Sequence, residues 1–292
     1  MTTVAAVRVA DFEPVIEGMY LVAATAGPRG EPLLLASNNP PSHDKDGTRR
    51  PPHLRIYRLE GDAWKRHEIH QACEHPAFVQ PLPGGRWLLA RHVPRPGSAD
   101  TAWIHGADGE PLGAFDAGID IRQVQTTAGG SVWIGYGDEG IYRENRFSSE
   151  GVVTVDEAGR EIFRFSSVWK DAPTIDACTA MNVVSDQETW LCYYSAFPIV
   201  RLSEGRVSCL WPHSPVQRSG AFALSGDRAL FAGSHDRPGS LFLVKLGFLR
   251  RDEMEPVDPA GRPIPFTKAF ARGPLLFLQT EGSLFRVDLA AL

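Results

Sequence analysis

SVWIGYGDEGIYR, residues 131–143, opens with a run, Val132–Tyr136, that is β-branched, aromatic, aliphatic or glycine throughout. A short apolar run bounded by turn residues predicts a buried strand. Just upstream, Gly129-Gly130 supplies the positive φ that a tight hairpin needs, and Ile121–Thr126 before it reads as the partner strand. The same arrangement, a turn and then an apolar strand, recurs at Glu31-PLLLAS, Gly85-RWLLAR, Glu188-TWLCYY, Asp227-RALFAG and Gly273-PLLFLQ.

Aligned on these runs, the fourth position is always aliphatic: Leu34, Leu88, Ile134, Leu191, Leu230 and Leu276. The third position holds Trp87, Trp133 and Trp190 in three repeats, out of only 7 tryptophans in the chain. The markers recur at intervals of 39 to 57 residues, and the two chain ends together make up one more interval. A repeat of that size, with the ends sharing a unit, predicts an all-β protein: one six-bladed β-propeller spanning residues 1–292. The predicted blades are 19–70, 75–117, 120–166, 177–212, 218–262, and 265–292 completed by 3–12. Third strands are read at Leu54, Trp103, Val152, Pro198, Leu241 and Leu284, and fourth strands at Trp64, Leu112, Ile162 and Val207. The last repeat has no fourth strand of its own. An N-terminal strand, Thr3–Phe12, is therefore expected to pair with residues 283–289 and close the ring. No window holds a long helical period, and 23 prolines and 28 glycines interrupt the chain. A β-sandwich does not explain six marker strands in register.

Trp133-Ile134-Gly135, followed by Gly140-Ile141-Tyr142-Arg143, resembles the core of the propeller repeats in sensor regions of some bacterial two-component regulators. The resemblance implies the propeller fold and brings no catalytic residue with it. In the next repeat, Ser185-DQETW falls where sialidases carry an Asp-box turn, but the glycine of that turn is absent.

Composition excludes several classes. A net charge of -5 with scattered arginines gives no footprint for nucleic acid. No apolar run is long enough to span a membrane, and the start of the chain lacks the pattern of a secretory signal, so a cytoplasmic location is expected. Cys73, Cys178, Cys192 and Cys209 form no C-x-x-C pair and are expected to be packed thiols. P-loop, dinucleotide, nucleophile-elbow and zincin motifs are missing.

The loops from second to third strands, and from each blade to the next, are long and polar, whereas the opposite turns are tight. Function is expected at the long-loop face, where a rigid scaffold presents variable loops around a channel mouth. Glu74, His75, Asp120 and Asp176 stand beside first strands and are the candidate ligands of an axial divalent cation, calcium or zinc. Candidate acid–base groups are Glu74, His75, Asp138, Glu139, His235 and Asp236, with Asp236 placed to orient the imidazole of His235. The favoured reading is a ligand-binding scaffold with a small molecule or protein at that face. The alternatives are a metal-dependent hydrolase of the lactonase or esterase kind, and a structural or assembly protein whose oligomeric state the sequence leaves open.

Overall fold

The computed structural model describes residues 2–40, 52–72, 75–94 and 98–292. It is all-β, and its six sheets are the blades of a six-bladed β-propeller. Sheet one contains β3 (Tyr20–Ala26), β4 (Pro32–Ser37), β5 (Leu54–Glu60) and β6 (Ala63–Ile69), after the N-terminal strands β1 (Thr2–Ala5) and β2 (Val7–Asp11). Sheet two holds β7 (Phe78–Pro81), β8 (Trp87–Ala90), β9 (Ala102–His105) and β10 (Pro111–Phe115). Sheet three holds β11 (Ile121–Thr126), β12 (Val132–Tyr136), β13 (Val152–Val155) and β14 (Glu161–Arg164). Sheet four runs through β15 (Ala177–Val183), β16 (Glu188–Tyr194), β17 (Ile199–Ser203) and β18 (Arg206–Trp211). Sheet five contains β19 (Ala221–Ser225), β20 (Arg228–Ala232), β21 (Leu241–Lys245) and β22 (Arg250–Val257). Sheet six contains β23 (Lys268–Arg272), β24 (Leu275–Gln279) and β25 (Ser283–Asp288).

All six predicted marker runs are second strands, and the first to fourth strands of each sheet pair antiparallel as an up-and-down meander. The N-terminal reading needs one correction. Residues 3–12 form two strands on two sheets rather than one. β2 completes sheet six against β25, with Val7 opposite Arg286 and Asp11 opposite Ser283, as the sequence predicts. β1 instead lies parallel to β22 as a fifth strand of sheet five, with Thr2 beside Met254 and Ala5 beside Val257. The switch falls at Ala6, whose N–H donates to Val257 O at 2.8 Å. Sheet five also gains β22 as a fourth strand, in a polar stretch where the sequence pattern marks none.

The chain divides into two compact units, residues 15–167 with sheets one to three, and residues 1–14 with 168–292 and sheets four to six. In the first unit, Leu33, Leu35, Leu54, Ile56, Val79, Trp87 and Leu89 form the core between sheets one and two. Leu88, Ile104, Val124, Ile134, Val153 and Tyr136 form the core between sheets two and three. In the second unit, Trp190, Phe222, Phe231 and Phe242 lie in one core, and Leu230, Leu276 and Leu278 in another. Odd and even residues of a marker strand thus serve different cores, because successive strand side chains point to opposite faces. That double burial is why the markers read as continuous apolar runs. Trp87, 1 % exposed, is the largest fully buried side chain; burial of such a ring stabilises by roughly 1.5–3 kcal/mol.

One buried amide ties the first strands of each unit together. In sheet two, Gln80 donates from Nε2 to Thr25 Oγ1 (3.1 Å) and Ala26 O (3.3 Å) of sheet one. Its Oε1 accepts from Thr126 N (3.1 Å) and Thr126 Oγ1 (3.3 Å) of sheet three. In sheet four, Asn182 donates from Nδ2 to Phe222 O (2.8 Å) and Gly273 O (3.0 Å), and its Oδ1 accepts from Gly273 N (2.8 Å). Among the described residues no helix is long and apolar enough to cross a membrane.

Candidate functional site

Within each sheet, antiparallel pairing puts the loop between second and third strands at the same end as the start of the first strand. In sheet three those two segments are residues 116–120 and 137–151, and together they build the most elaborated corner among the described residues. The entry segment is tied down along its length. Thr101 Oγ1 donates to Gly118 O (3.1 Å) and accepts from Ala117 N (2.9 Å), and Tyr136 Oη donates to Ala117 O at 2.7 Å. Asp116 caps Gly118 N at 2.8 Å. Gly118 is required here: its φ is +95°, and a Cβ would come within 2.7 Å of the Tyr136 ring. Burial, with the charge of Asp116 adding to it, pushes the Tyr136 hydroxyl well above its ordinary pKa, so Tyr136 remains a neutral donor. Ile121 N donates to His92 O (2.9 Å), and His92 Nδ1 donates back to Ile121 O (2.7 Å).

Asp120 stands at the centre of this corner. It is 4 % exposed and adopts a left-handed backbone conformation, φ 57°, which costs a residue with a Cβ roughly 1 kcal/mol. Its backbone carbonyl accepts from Gly137 N at 2.8 Å. Its Oδ1 meets Arg122 Nε at 2.7 Å, while the guanidinium side chain remains half exposed. Oδ2 is buried and has no hydrogen-bond partner among the described residues. It lies against Gly137, where an added Cβ would come within 2.2 Å of it. The carboxylate therefore holds the root of the Arg122 guanidinium and leaves its outer nitrogens to solvent.

After Gly137 the chain makes one short helical turn, α1 (Asp138–Ile141). Asp138 and Glu139 are exposed in it, and Glu139 approaches Arg143 at 3.8 Å. Tyr142 follows, 72 % exposed. Asn145 then anchors the returning loop, its Oδ1 accepting from Phe147 N (2.9 Å) and Ser148 N (3.1 Å).

The structure thus places Asp120, Asp138 and Glu139 in one corner. Glu74 lies outside the described residues, and His75, beside it, is half-buried. Asp176 is half-buried in the other unit, with its N–H on Tyr194 O. His235 and Asp236 are exposed, and the ring of His235 lies 3.4 Å from Arg218 Nη1. Arg218 shares the left-handed backbone of Asp120, φ 58°. Among the described residues no three His, Cys, Asp or Glu side chains gather into a group that could hold a metal ion. Cys178 and Cys192 are buried on paired strands, and burial pushes the Cys192 thiol up to about 12, which leaves it protonated and inert at neutral pH.

Sequence reasoning missed Arg122 and Tyr142. The signal for Arg122 was its place two residues after Asp120, on the same side of β11 in a regular strand. For Tyr142 it was a large aromatic between glycine and charge in a loop.

The fold and this corner define a β-propeller with an elaborated loop cluster on sheet three. A profile of the YxzG family matches residues 146–287, slightly less than half of the chain. Among curated proteins none matches the sequence. Several solved structures are similar in fold. YCF48, in a structure bound to D1 peptide, has a TM-score of 0.50 at 13 % identity, covering 98 % of this chain and 96 % of that one. Saccharomyces cerevisiae Sqt1 has a TM-score of 0.51 at 11 % identity, covering 99 % and 86 %. Virginiamycin B lyase from Staphylococcus aureus has a TM-score of 0.51 at 12 % identity, covering 93 % and 94 %. At such identities the likeness is one of fold, and it includes both a peptide-bound propeller and an enzyme.

Proposed function

We propose that this propeller is a binding scaffold that recognises a protein or peptide through the loop corner of sheet three. The observation that carries the reading is the buried Asp120 carboxylate holding a half-exposed Arg122 in the corner whose loop also carries the exposed Tyr142. Arginine and tyrosine are the side chains that most often dominate protein interfaces, because they combine contact area with directed hydrogen bonds. Fixing the guanidinium beforehand lowers the entropy lost on binding. YCF48 bound to its D1 peptide supplies a precedent for peptide binding by a propeller of this size. Arg122 favours a partner that brings a carboxylate, and Tyr142 favours an apolar or aromatic neighbour to it.

Panning a displayed random-peptide library against the purified protein tests this. The expected result is enrichment of sequences with an acidic residue beside an apolar one, whose affinity falls at least tenfold in Arg122→Ala and in Tyr142→Ala. No enrichment, or peptides that bind the variants equally well, would remove the reading. Elemental mass spectrometry of the same preparation addresses the metal-dependent hydrolase: near-stoichiometric calcium or zinc would direct attention to His75, Asp120 and Asp176.

A further inference from the structure

A separate feature lies between sheets one and two. There a cavity of about 310 Å³ opens among Leu54, Leu89, Trp103, His105, Pro111 and Gly113. It exists because β10 is built of small residues. In sheet three the outermost strand carries Phe163, whose ring packs 5.5 Å from that of Trp133. β10 offers Pro111, Gly113 and Ala114 instead, with a bulge between Pro111 and Gly113. Ala114, opposite Trp103, puts only a methyl group on the cavity face of β10. The volume falls within the roughly 300–1,000 Å³ of small-molecule pockets.

Among the lining side chains only Gln71, whose Nε2 donates to Glu110 Oε2 at 3.2 Å, Trp103 and His105 carry polar atoms, and the buried His105 gives the cavity direction. The ring is 3 % exposed, and its Nδ1 donates to Gly109 O at 3.1 Å. The proton of the neutral ring is thereby fixed on Nδ1, leaving Nε2 as a lone-pair acceptor. Burial, the largest influence on it, lowers the pKa of His105 and keeps the ring neutral near pH 7. A neutral acceptor in an apolar wall favours a donor and offers nothing to an anion.

We propose that this cavity is a binding site for a neutral one- or two-ring aromatic molecule carrying a single hydroxyl or N–H donor. The ring would lie against Trp103 and Leu89, with the donor directed at His105 Nε2. This inference is independent of the peptide-binding corner.

Calorimetric titration with 2-naphthol, naphthalene and 2-naphthoate at pH 7.5 tests it. The expected result is one saturable site for 2-naphthol, with at least tenfold weaker binding of naphthalene and of 2-naphthoate. Ala114→Phe, which puts a ring on the cavity face opposite Trp103, should abolish binding while leaving the thermal midpoint unchanged or higher. His105→Phe should bind 2-naphthol and naphthalene alike. The proposal is overturned if 2-naphthol does not saturate, if naphthalene or naphthoate matches it, or if a folded Ala114→Phe binds as the parent does. Should His105→Phe fail to fold, the discrimination between 2-naphthol and naphthalene in the parent protein stands in for it.

Discussion

Both units solve one problem, tying three first strands together, with a single buried carboxamide, and they do so differently. Gln80 reaches partners that include two hydroxyls, Thr25 Oγ1 and Thr126 Oγ1. Asn182 reaches main-chain groups only, at Phe222 and Gly273. Hydroxyls rotate and find other acceptors, and Thr126 Oγ1 already donates to Pro81 O at 2.7 Å. Main-chain groups are fixed in place. Loss of the amide should therefore hurt the unit of Asn182 more, since the penalty comes from stranded buried groups rather than from the bonds themselves.

The largest expected effect follows directly. Asn182→Leu strands Gly273 N–H and a contact of Phe222 O, and should cost about 3 kcal/mol in denaturant unfolding. Gln80→Leu removes one contact each from Thr126 N–H and Ala26 O while the hydroxyls re-pair, and should cost about 2 kcal/mol by the same measurement. If Gln80→Leu proves the more damaging, the distinction between hydroxyl and main-chain partners fails. A third substitution sharpens the picture inside the Gln80 unit. Gly137→Ala drives a methyl group against Asp120 Oδ2 and should cost roughly 1–2 kcal/mol as local overpacking. In an Asp120→Gly background that cost should largely vanish, which a double-mutant cycle would show.

The smallest expected effect is a dependence on pH. Burial, reinforced by Arg58 and Lys65, holds His67 below its ordinary value, and burial does the same for His105. Both residues belong to the unit of Gln80. Their folded values lie below the unfolded ~6.5, so the unfolded chain binds protons first as the pH falls. Stability therefore declines on acidification below that value. Hydrogen exchange at pH 7 and pH 5, corrected for intrinsic rates, should show the greater loss of protection within residues 15–167. Replacing both histidines with phenylalanine should flatten that loss.

The fold was legible where side chains are buried on both faces, because two cores force continuous apolar runs. Leu33 and Leu34 serve opposite faces, and so do Trp133 and Ile134. Strands at the outer edges carry no such constraint. β22, Arg250–Val257, is mostly charged, and nothing in its pattern distinguishes it from a loop. β1 and β2 were legible as one apolar stretch, but the step between sheets at Ala6 rests on backbone hydrogen bonding that side chains do not encode. At the candidate site, a carboxylate beside a first strand was visible in the sequence at Asp120. Its pairing with Arg122 and its packing on Gly137 depend on a left-handed backbone residue, a conformation that aspartate tolerates without announcing it. Gln80 and Asn182 were overlooked because a lone amide in an apolar strand reads as a tolerated substitution until its three-strand reach is seen.

The division of residues 2–11 between sheets five and six also dictates an order of events on the ribosome. The unit comprising residues 15–167 is continuous in sequence, and all strands of its three sheets have been made once Ser167 has emerged. β1 and β2 are made before the other described strands, and pair with β22 and β25, which are made roughly 240 residues or more later. At about 5–20 residues per second, the nascent leader waits on the order of a quarter of a minute to a minute for its mates. During that interval β1 and β2 stand unpaired, and any chaperone or aggregation partner of the growing chain would meet them there.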